Sequence, residues 1–150
     1  MPQSLSKNYI HLTFSTKHRL DTIQPCDESD LYAYISGILR QEECPVVAIG
    51  GTANHVHILF VLNKNIALFK LVEIAKRGSS KWLKMRHDVY KKFSWQEGYG
   101  AFSVSPSKIE VVVRYIQGQK EHHKKYSFKE EYKKFLDESG IEYNEVFLWD

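Results

Sequence analysis

Two apolar segments with only three residues between them place the strongest constraint on the fold. The first, residues 45–51 (PVVAIGG), ends in two glycines, and the second is residues 55–62 (HVHILFVL). Both are rich in β-branched residues, and the glycines and Asn54 supply the backbone freedom that a tight turn needs. The pair therefore predicts a β-hairpin, and with it two antiparallel strands side by side in one sheet.

The rest of the chain alternates between strand-like and helix-like periodicity. In chain order, the predicted elements are a strand over 8–16, a helix over 27–43, strands over 45–51 and 55–62, a helix over 65–86, a strand over 101–105, a helix from about residue 107 and a helix over 127–139. Asn65 is a candidate N-cap, Ser107 and Glu110 have capping-box spacing, and Gly140 follows the last helix.

This order of elements predicts the fold class. Strands separated by helices, with one direct β-hairpin, are typical of an α+β, ferredoxin-like (RRM-like) antiparallel sheet with helices packed on one face. No repeat or linker divides the sequence, so we expect a single domain over residues 1–150.

Composition limits where the protein works. No segment approaches the roughly 18 apolar residues that a membrane-spanning helix needs, and the first residues lack an apolar signal sequence. The two cysteines are too few for a zinc knuckle or a disulfide scaffold. We therefore expect a soluble, cytoplasmic protein with no membrane partner.

Charge is distributed unevenly, although the net charge is only +3. Residues 64–92 contain nine Lys or Arg against two acids, whereas residues 130–150 contain seven acids against two lysines. A local basic surface suits a polyanion such as DNA, but a solvated helix face also collects lysines. The candidate phosphate contacts are Lys76, Arg77, Lys81, Lys84 and Arg86, with Lys17 and Arg19 as weaker candidates.

His55 and His57 are candidate metal ligands at the start of the second strand of the β-hairpin. Residues i and i+2 of a strand face the same side, about 6–7 Å apart, so both imidazoles can reach one cation. Val56 then points the other way, into the core. Two ligands alone do not hold an ion, and two strand-edge histidines without a metal are the alternative.

The helix from residue 107 carries a polar row beside its apolar stripe: Tyr115, then Gln119 one turn later, then His122. A tyrosine hydroxyl can attack a phosphate whose charge a divalent cation neutralises. A glutamine oxygen with two imidazoles would leave positions open on Mg²⁺ or Mn²⁺ for phosphate and water. The alternative is a half-exposed tyrosine with polar neighbours.

These motifs occur in a characteristic order: His55-Val56-His57, then SSKWL, FSWQEGYGAFSVS and YIQGQKEHH. The ordered set resembles the single-tyrosine HUH transposases of small bacterial insertion sequences, including the REP-associated tyrosine transposases. The resemblance runs from about Tyr9 to the last residue. It implies that Tyr115 is the catalytic tyrosine and that His55, His57 and Gln119 bind the metal ion, Mg²⁺ or Mn²⁺.

The resemblance also implies an activity and its partners. Such enzymes are single-strand DNA endonucleases and strand transferases, which cleave and rejoin DNA at insertion-sequence ends through a 5′-phosphotyrosine intermediate. They recognise DNA hairpins at those ends. They are homodimers, often with the tyrosine helix of one subunit serving the histidines of the other.

One position departs from the family pattern. Many members have Pro-Asp immediately before the first histidine, where this chain has Ala53 and Asn54. The carboxylate is absent, but Asn54 can still form hydrogen bonds, so Asn54 and His122 are candidates for the edge of the site. Two alternatives stay open: a domesticated binder of hairpin DNA or RNA with the same fold, and an unrelated metal-dependent phosphoesterase in which the tyrosine–glutamine spacing has no role.

Overall fold

The computed structural model describes residues 2–150 and is built on a four-stranded sheet in the order β2-β3-β1-β4. The strands are β1 (Asn8–Ser15), β2 (Val46–Thr52), β3 (His55–Leu62) and β4 (Gly100–Val104). Every neighbouring pair is antiparallel, and β2 and β3 form the predicted β-hairpin. This is the strand order of a split βαβ fold, so the predicted α+β class is confirmed.

Helices α1 (Pro25–Gln41) and α2 (Leu68–Arg86) pack on one face of the sheet. Alternation along the strands determines which residues meet them. Leu12 and Phe14 of β1 and Val56 of β3 are fully buried in the same apolar cluster as the inner faces of α1 and α2. The strand residues that alternate with these three therefore point to the other face of the sheet.

Three further helices cover that other face: α3 (Ile109–Gln117), the short α4 (Gln119–His122) and α5 (Phe128–Glu138). Leu59 of β3 shares an apolar cluster with Ile116 of α3, and Phe102 of β4 shares another with Phe128 of α5. The predicted packing of helices on one face of the sheet therefore holds for α1 and α2 only, because α3 and α5 pack on the opposite face. The order of elements does not determine where helices after the last strand pack.

Gly50 of β2 allows α3 to lie directly on the sheet. A Cβ atom at this position would be only 2.6 Å from the carbonyl oxygen of Ile116. Such a close approach of two backbones requires glycine. Because Gly50 pairs with His57 across β2 and β3, this contact brings the tyrosine-bearing helix next to the histidine.

The predicted start of α2 was wrong. The helix begins at Leu68 with Ala67 as its N-cap, so Asn65 is not the cap. The backbone N–H of Asn65 instead donates to the side chain of Asn63, 3.0 Å away, in the preceding turn.

The predicted helix from residue 107 is divided into three parts. A 3-10 turn, Pro106–Lys108, precedes α3, and no side chain caps α3, so the expected capping box is absent there. A capping box occurs instead at the start of α5, where Ser127 and Glu130 bond each other's backbone. Gly118 (φ −94°, ψ 15°) separates α3 from α4.

Candidate metal and tyrosine site

His55 and His57 lie at the start of β3 and face the side that α3, α4 and α5 cover. Both are completely buried (0% exposed), and their ring centres are 5.2 Å apart. Val56 lies between them in the opposite core. The strand therefore presents two imidazoles side by side, as the alternation of this segment predicted.

Two amide side chains turn their oxygens toward His55. The Nδ2 group of Asn54 donates to the carbonyl of Arg19 (3.4 Å), which leaves Oδ1 facing the imidazole. The Nε2 group of Gln119 donates to the carbonyl of Tyr115 (3.2 Å), which leaves Oε1 facing it. Gln119 is the first residue of α4, which follows the break in the helix at Gly118. From this position its side chain points back toward α3.

His55 therefore has an acceptor oxygen at each ring nitrogen. Nδ1 lies 2.7 Å from Asn54 Oδ1, and Nε2 lies 3.0 Å from Gln119 Oε1. The Thr52 hydroxyl is also 3.0 Å from Nδ1, but it donates to Asn54 Oδ1. Burial lowers the pKa of His55 to about 3, so the ring is neutral and has one N–H. When Nδ1 carries that proton, it donates to Asn54 Oδ1, and Nε2 presents its lone pair toward Gln119 Oε1.

His57 is linked to His11 of the neighbouring strand. His57 Nδ1 lies 2.7 Å from His11 Nε2, and His57 Nε2 lies 2.7 Å from Glu131 Oε1. Burial lowers the pKa of His11 to about 3, so this histidine is neutral too. When His57 Nδ1 donates to His11, His57 Nε2 keeps a free lone pair, as a metal ligand requires.

Glu131 of α5 lies at the centre of the cluster and is only 4% exposed. Its Oε1 is 2.7 Å from His57 Nε2 and 3.8 Å from His55 Nε2. Its Oε2 is 2.9 Å from His123 Nε2 and 3.2 Å from His122 Nε2. Burial acts to raise the pKa of Glu131, but hydrogen bonds from His123 and His57 outweigh it and hold the pKa far below its usual range.

These groups have the geometry of a potential metal site. Ligand atoms of His55, His57, His123 and Glu131 all lie within 4.8 Å of one another. Sequence analysis missed His11 and Glu131. The alternation of polar residues with Leu12 and Phe14 along β1 was a signal for His11, whereas Glu131 lies in a charged segment typical of a solvated helix.

Tyr115 of α3 extends to the same cluster of histidines around Glu131. Its hydroxyl donates a hydrogen bond to Glu131 and lies 3.3 Å from His122 Nε2. Burial raises the pKa of Tyr115, and the negative charge of Glu131 acts in the same direction. The phenol is therefore protonated at rest, so its attack on a phosphate needs a proton acceptor within reach.

A cavity of about 490 Å³ opens beside Tyr115, between α3 and α5. Its walls include His11, Val112, His122, Tyr126 and Phe135. A substrate entering this cavity would meet the edge of the tyrosine ring and the histidines behind it.

Two of the predicted phosphate contacts are engaged within the protein. The Lys76 ammonium donates to the carbonyls of residues 96–98, at 2.8, 3.1 and 2.7 Å. Arg86 bonds Asp27 at 2.8 Å and Asp30 at 2.6 Å, and it ties α2 to α1. Because their donors are used by these partners, we withdraw Lys76 and Arg86 as phosphate contacts.

The other basic residues of α2 face away from the cluster. Arg77 lies 3.0 Å from Glu73 one turn earlier, while Lys81 and Lys84 are exposed. Since α2 packs on the opposite face of the sheet from His55, these side chains are separated from the cluster by the sheet itself.

Lys17 and Arg19 follow β1, next to the turn that contains Asn54. The carbonyl of Arg19 holds the amide of Asn54, and the Arg19 guanidinium lies over the ring of Trp149, 5.3 Å from its centre. Lys17 is exposed. Through the Arg19 carbonyl, this segment contacts Asn54, whose side chain faces His55.

The described residues contain no helix that is both long and apolar enough to cross a membrane.

Comparisons with known proteins agree with this arrangement. One solved structure, a "putative transposase" from Deinococcus radiodurans R1, has a TM-score of 0.60 and 20% identity, covering 79% of this chain and 98% of that one. Another, a REP-associated tyrosine transposase bound to a REP hairpin, has a TM-score of 0.59 and 14% identity, covering 79% of this chain and 70% of that one. At these identities the likeness establishes the fold. No curated protein matches the sequence.

The family described as "Transposase IS200 like" matches residues 4–119. This segment includes the whole sheet, both of its long helices, the two histidines of β3 and Tyr115, and it ends at Gln119. Helix α5 and Glu131 lie beyond it. The chain belongs to the family of IS200-like transposases.

Proposed function

We propose that this transposase cleaves and rejoins single-stranded DNA at insertion-sequence ends, with Tyr115 as the nucleophile. The observation that carries the proposal is the meeting of the Tyr115 hydroxyl with His55, His57 and Gln119 around one buried point. The two histidines lie near the middle of the matched family segment and the tyrosine lies near its end, so the fold brings them together.

The residues at this point fit a divalent cation. His55 Nε2 and Gln119 Oε1 face each other at 3.0 Å, so both atoms can bind one cation when Nε2 carries no proton. His55, His57 and Gln119 would hold Mg²⁺ or Mn²⁺. Bound there, the ion would supply positive charge that neutralises the oxygens of the scissile phosphate.

The protein's own groups account for the proton and the bonds. The Tyr115 oxygen attacks phosphorus as its proton passes to a neighbouring acceptor, and the P–O bond to the 3′ oxygen breaks. That oxygen takes up the proton from the acceptor, so the products are a 5′-phosphotyrosine and a free 3′-OH. The acceptors in reach of the phenol proton are Glu131 and His122 Nε2. Attack of a 3′-OH on the phosphotyrosine reverses the step, rejoins DNA and returns the proton to Tyr115.

The DNA partner follows from the family and from the shape of the site. The cavity between α3 and α5 gives a strand access to Tyr115. The likeness to a REP-associated transposase bound to a REP hairpin supports a DNA hairpin as the ligand. We propose that its phosphates are contacted by the predicted basic residues that are not held by several protein acceptors, namely Lys17, Arg19, Arg77, Lys81 and Lys84, because a cation at the surface binds the DNA backbone.

Assembly of the active site is proposed to occur within one chain. Tyr115 and the two histidines of β3 approach each other here without a second subunit. We also propose a homodimer, as in the enzymes that this chain resembles. Its role would be to hold two DNA ends, since a second subunit is not needed to complete the active site.

The test is incubation with a labelled single-stranded DNA hairpin and Mn²⁺, followed by a denaturing gel. We expect a covalent protein–DNA adduct that is absent in Tyr115→Phe. Tyr126→Phe is the matched control, since Tyr126 is a half-exposed tyrosine on the wall of the same cavity. Likewise, Gln119→Ala lowers the yield of adduct, while Gln117→Ala, at an exposed position, leaves it unchanged.

Two other outcomes would select the alternatives. DNA hairpin binding without any adduct would indicate a domesticated binding protein of this fold. Metal-dependent cleavage that persists in Tyr115→Phe would contradict tyrosine chemistry and indicate a phosphoesterase.

A further inference from the structure

Helix α5 lies beyond the segment that matches the family, yet it contributes the most central group of the site. Glu131 is buried, and four histidines and one tyrosine contact its two oxygens. A carboxylate in this position has a function that the tyrosine and the two strand histidines do not explain.

We propose that Glu131 is a further ligand of the divalent cation, supplied by α5 from outside the family segment. The inference rests on the cation site of the proposed function. It adds a carboxylate to His55, His57 and Gln119, and it makes α5 a metal-dependent part of the active site.

The position of Oε1 is the first argument. This atom lies 2.7 Å from His57 Nε2 and 3.8 Å from His55 Nε2, while Gln119 Oε1 lies 3.0 Å from His55 Nε2. Two ring nitrogens and two oxygens from β3, α4 and α5 therefore converge on one small volume. An arrangement of mixed nitrogen and oxygen ligands suits a divalent transition-metal ion.

The second argument is charge. A buried carboxylate is costly unless a positive partner compensates it. Among the described residues, the side chains within ion-pair distance of Glu131 are all histidines, with no lysine or arginine. A bound cation would place a full positive charge beside the buried carboxylate.

The cation also needs the carboxylate, because two imidazoles and an amide bring no negative charge to a divalent ion. Adding one carboxylate halves the net charge buried with the ion. Dehydrating and burying the ion therefore costs less free energy when Glu131 takes part.

Direct metal binding tests the proposal without relying on activity. Free Mn²⁺ is measured by electron paramagnetic resonance during titration of the full-length protein. We expect Glu131→Ala to weaken Mn²⁺ binding about tenfold or more. The control is Asp137→Ala, which removes the same charge from an exposed position on α5 and leaves the affinity unchanged. Glu131→Gln keeps the shape and one oxygen, and it weakens binding to a smaller extent.

Hydrogen exchange supplies a second measurement. If Glu131 binds the ion, Mn²⁺ slows amide exchange in residues 128–138 of the wild-type protein but not of Glu131→Ala. Circular dichroism shows whether each variant is folded, and Glu131→Gln replaces the alanine variant if that one is not.

The possible failures are distinguishable. Mn²⁺ affinity that is equal or higher in both Glu131 variants would overturn this inference, since the carboxylate would then be a bystander or a competitor of the ion. His55→Ala tests the underlying site: if it binds Mn²⁺ as tightly as the wild type, the cation site of the proposed function is wrong, and Glu131 falls with it.

Discussion

The hydroxyl of Tyr115 on α3 donates a hydrogen bond to Glu131 on α5, at the point where the strand histidines also meet. The contact connects the segment shared with the family to the helix that follows it. A DNA phosphate that Tyr115 attacks must enter beside this bond, through which the phenol proton can pass to Glu131.

His11 is expected to tune the cation site without binding the ion. Because it lies 2.7 Å from His57 Nδ1, it can accept the proton of that nitrogen when His57 Nε2 binds the ion. His11→Ala should lower Mn²⁺ affinity about 10–100-fold and reduce adduct formation. His18→Ala, at an exposed histidine, is the control. Unchanged Mn²⁺ affinity in His11→Ala would rule out this role.

Gly50→Ala should displace the tyrosine helix. The new Cβ atom would approach the Ile116 carbonyl to 2.6 Å, so α3 must move away from β2. We expect a loss of about 1–3 kcal/mol in the free energy of unfolding and a strong loss of adduct. Thermal unfolding and the gel assay measure the two effects.

Gly37→Ala is the matched control, because nothing lies within 4 Å of a Cβ atom at this position inside α1. Replacing a helical glycine by alanine should stabilise the protein by about 0.5–1 kcal/mol and leave the adduct unchanged. Equal behaviour of the two variants would mean that contact with β2 does not position α3.

Asp27→Asn should destabilise the protein in a pH-dependent way. Asp27 is 1% exposed and accepts from Arg86 (2.8 Å) and from the Tyr90 hydroxyl (2.5 Å). Burial acts to raise the pKa of Asp27, but the hydrogen bonds from Tyr90 and Arg86 lower it below 3.8. The variant should lose about 1–3 kcal/mol at pH 7.

The sign of the pH effect follows from that pKa. Because the folded pKa lies below the unfolded one, the carboxylate stabilises the fold above pH 3.8, and this contribution disappears as the pH falls through the folded pKa. The difference between wild type and Asp27→Asn should therefore shrink below about pH 4 in urea unfolding curves. Asp30→Asn, at a half-exposed partner of Arg86, should cost less than about 1 kcal/mol. An equal cost at both positions would contradict the special role of Asp27.

Lys81 and Lys84 should affect DNA binding but not the cation site, since the sheet separates α2 from the histidines. The double variant to alanine should weaken DNA hairpin binding and reduce the slope of log affinity against log salt by about 0.7–0.9 for each lost phosphate contact. Mn²⁺ affinity should not change. Lys70→Ala, next to Glu73 on the same helix, is the control. An unchanged salt slope would exclude contact at this surface.

Local sequence pattern was sufficient for part of this molecule. Alternation in β3 predicted that His55 and His57 share a face, and helical spacing placed Gln119 near Tyr115. The alternation is intact in β3, whereas the helix is interrupted at Gly118, and Gln119 still contacts the backbone of Tyr115. Pattern failed where the deciding contact is distant: Glu131 meets His57 across 74 residues, and nothing in its own charged helix signals burial.

Two of the predicted phosphate contacts also failed because the deciding contacts are not visible in the local sequence. Composition identified Lys76 and Arg86 as cations, but it could not show that neighbouring carbonyls and carboxylates already use their donors. Helix boundaries failed for a related reason. The start of α2 at Leu68 depends on the turn that Asn63 holds, and the break at Gly118 occurs where Gln119 reaches into the cluster.

The two faces of the sheet separate folding from chemistry. Leu12, Phe14 and Val56 hold the fold together with α1 and α2, while His11, His55 and His57 point away from that core. A substitution of one of these histidines therefore leaves the contacts of the sheet with α1 and α2 in place. If the proposed catalysis were lost in this way, that core and the surface of α2 proposed to bind DNA would remain, and such a protein could evolve into a regulator.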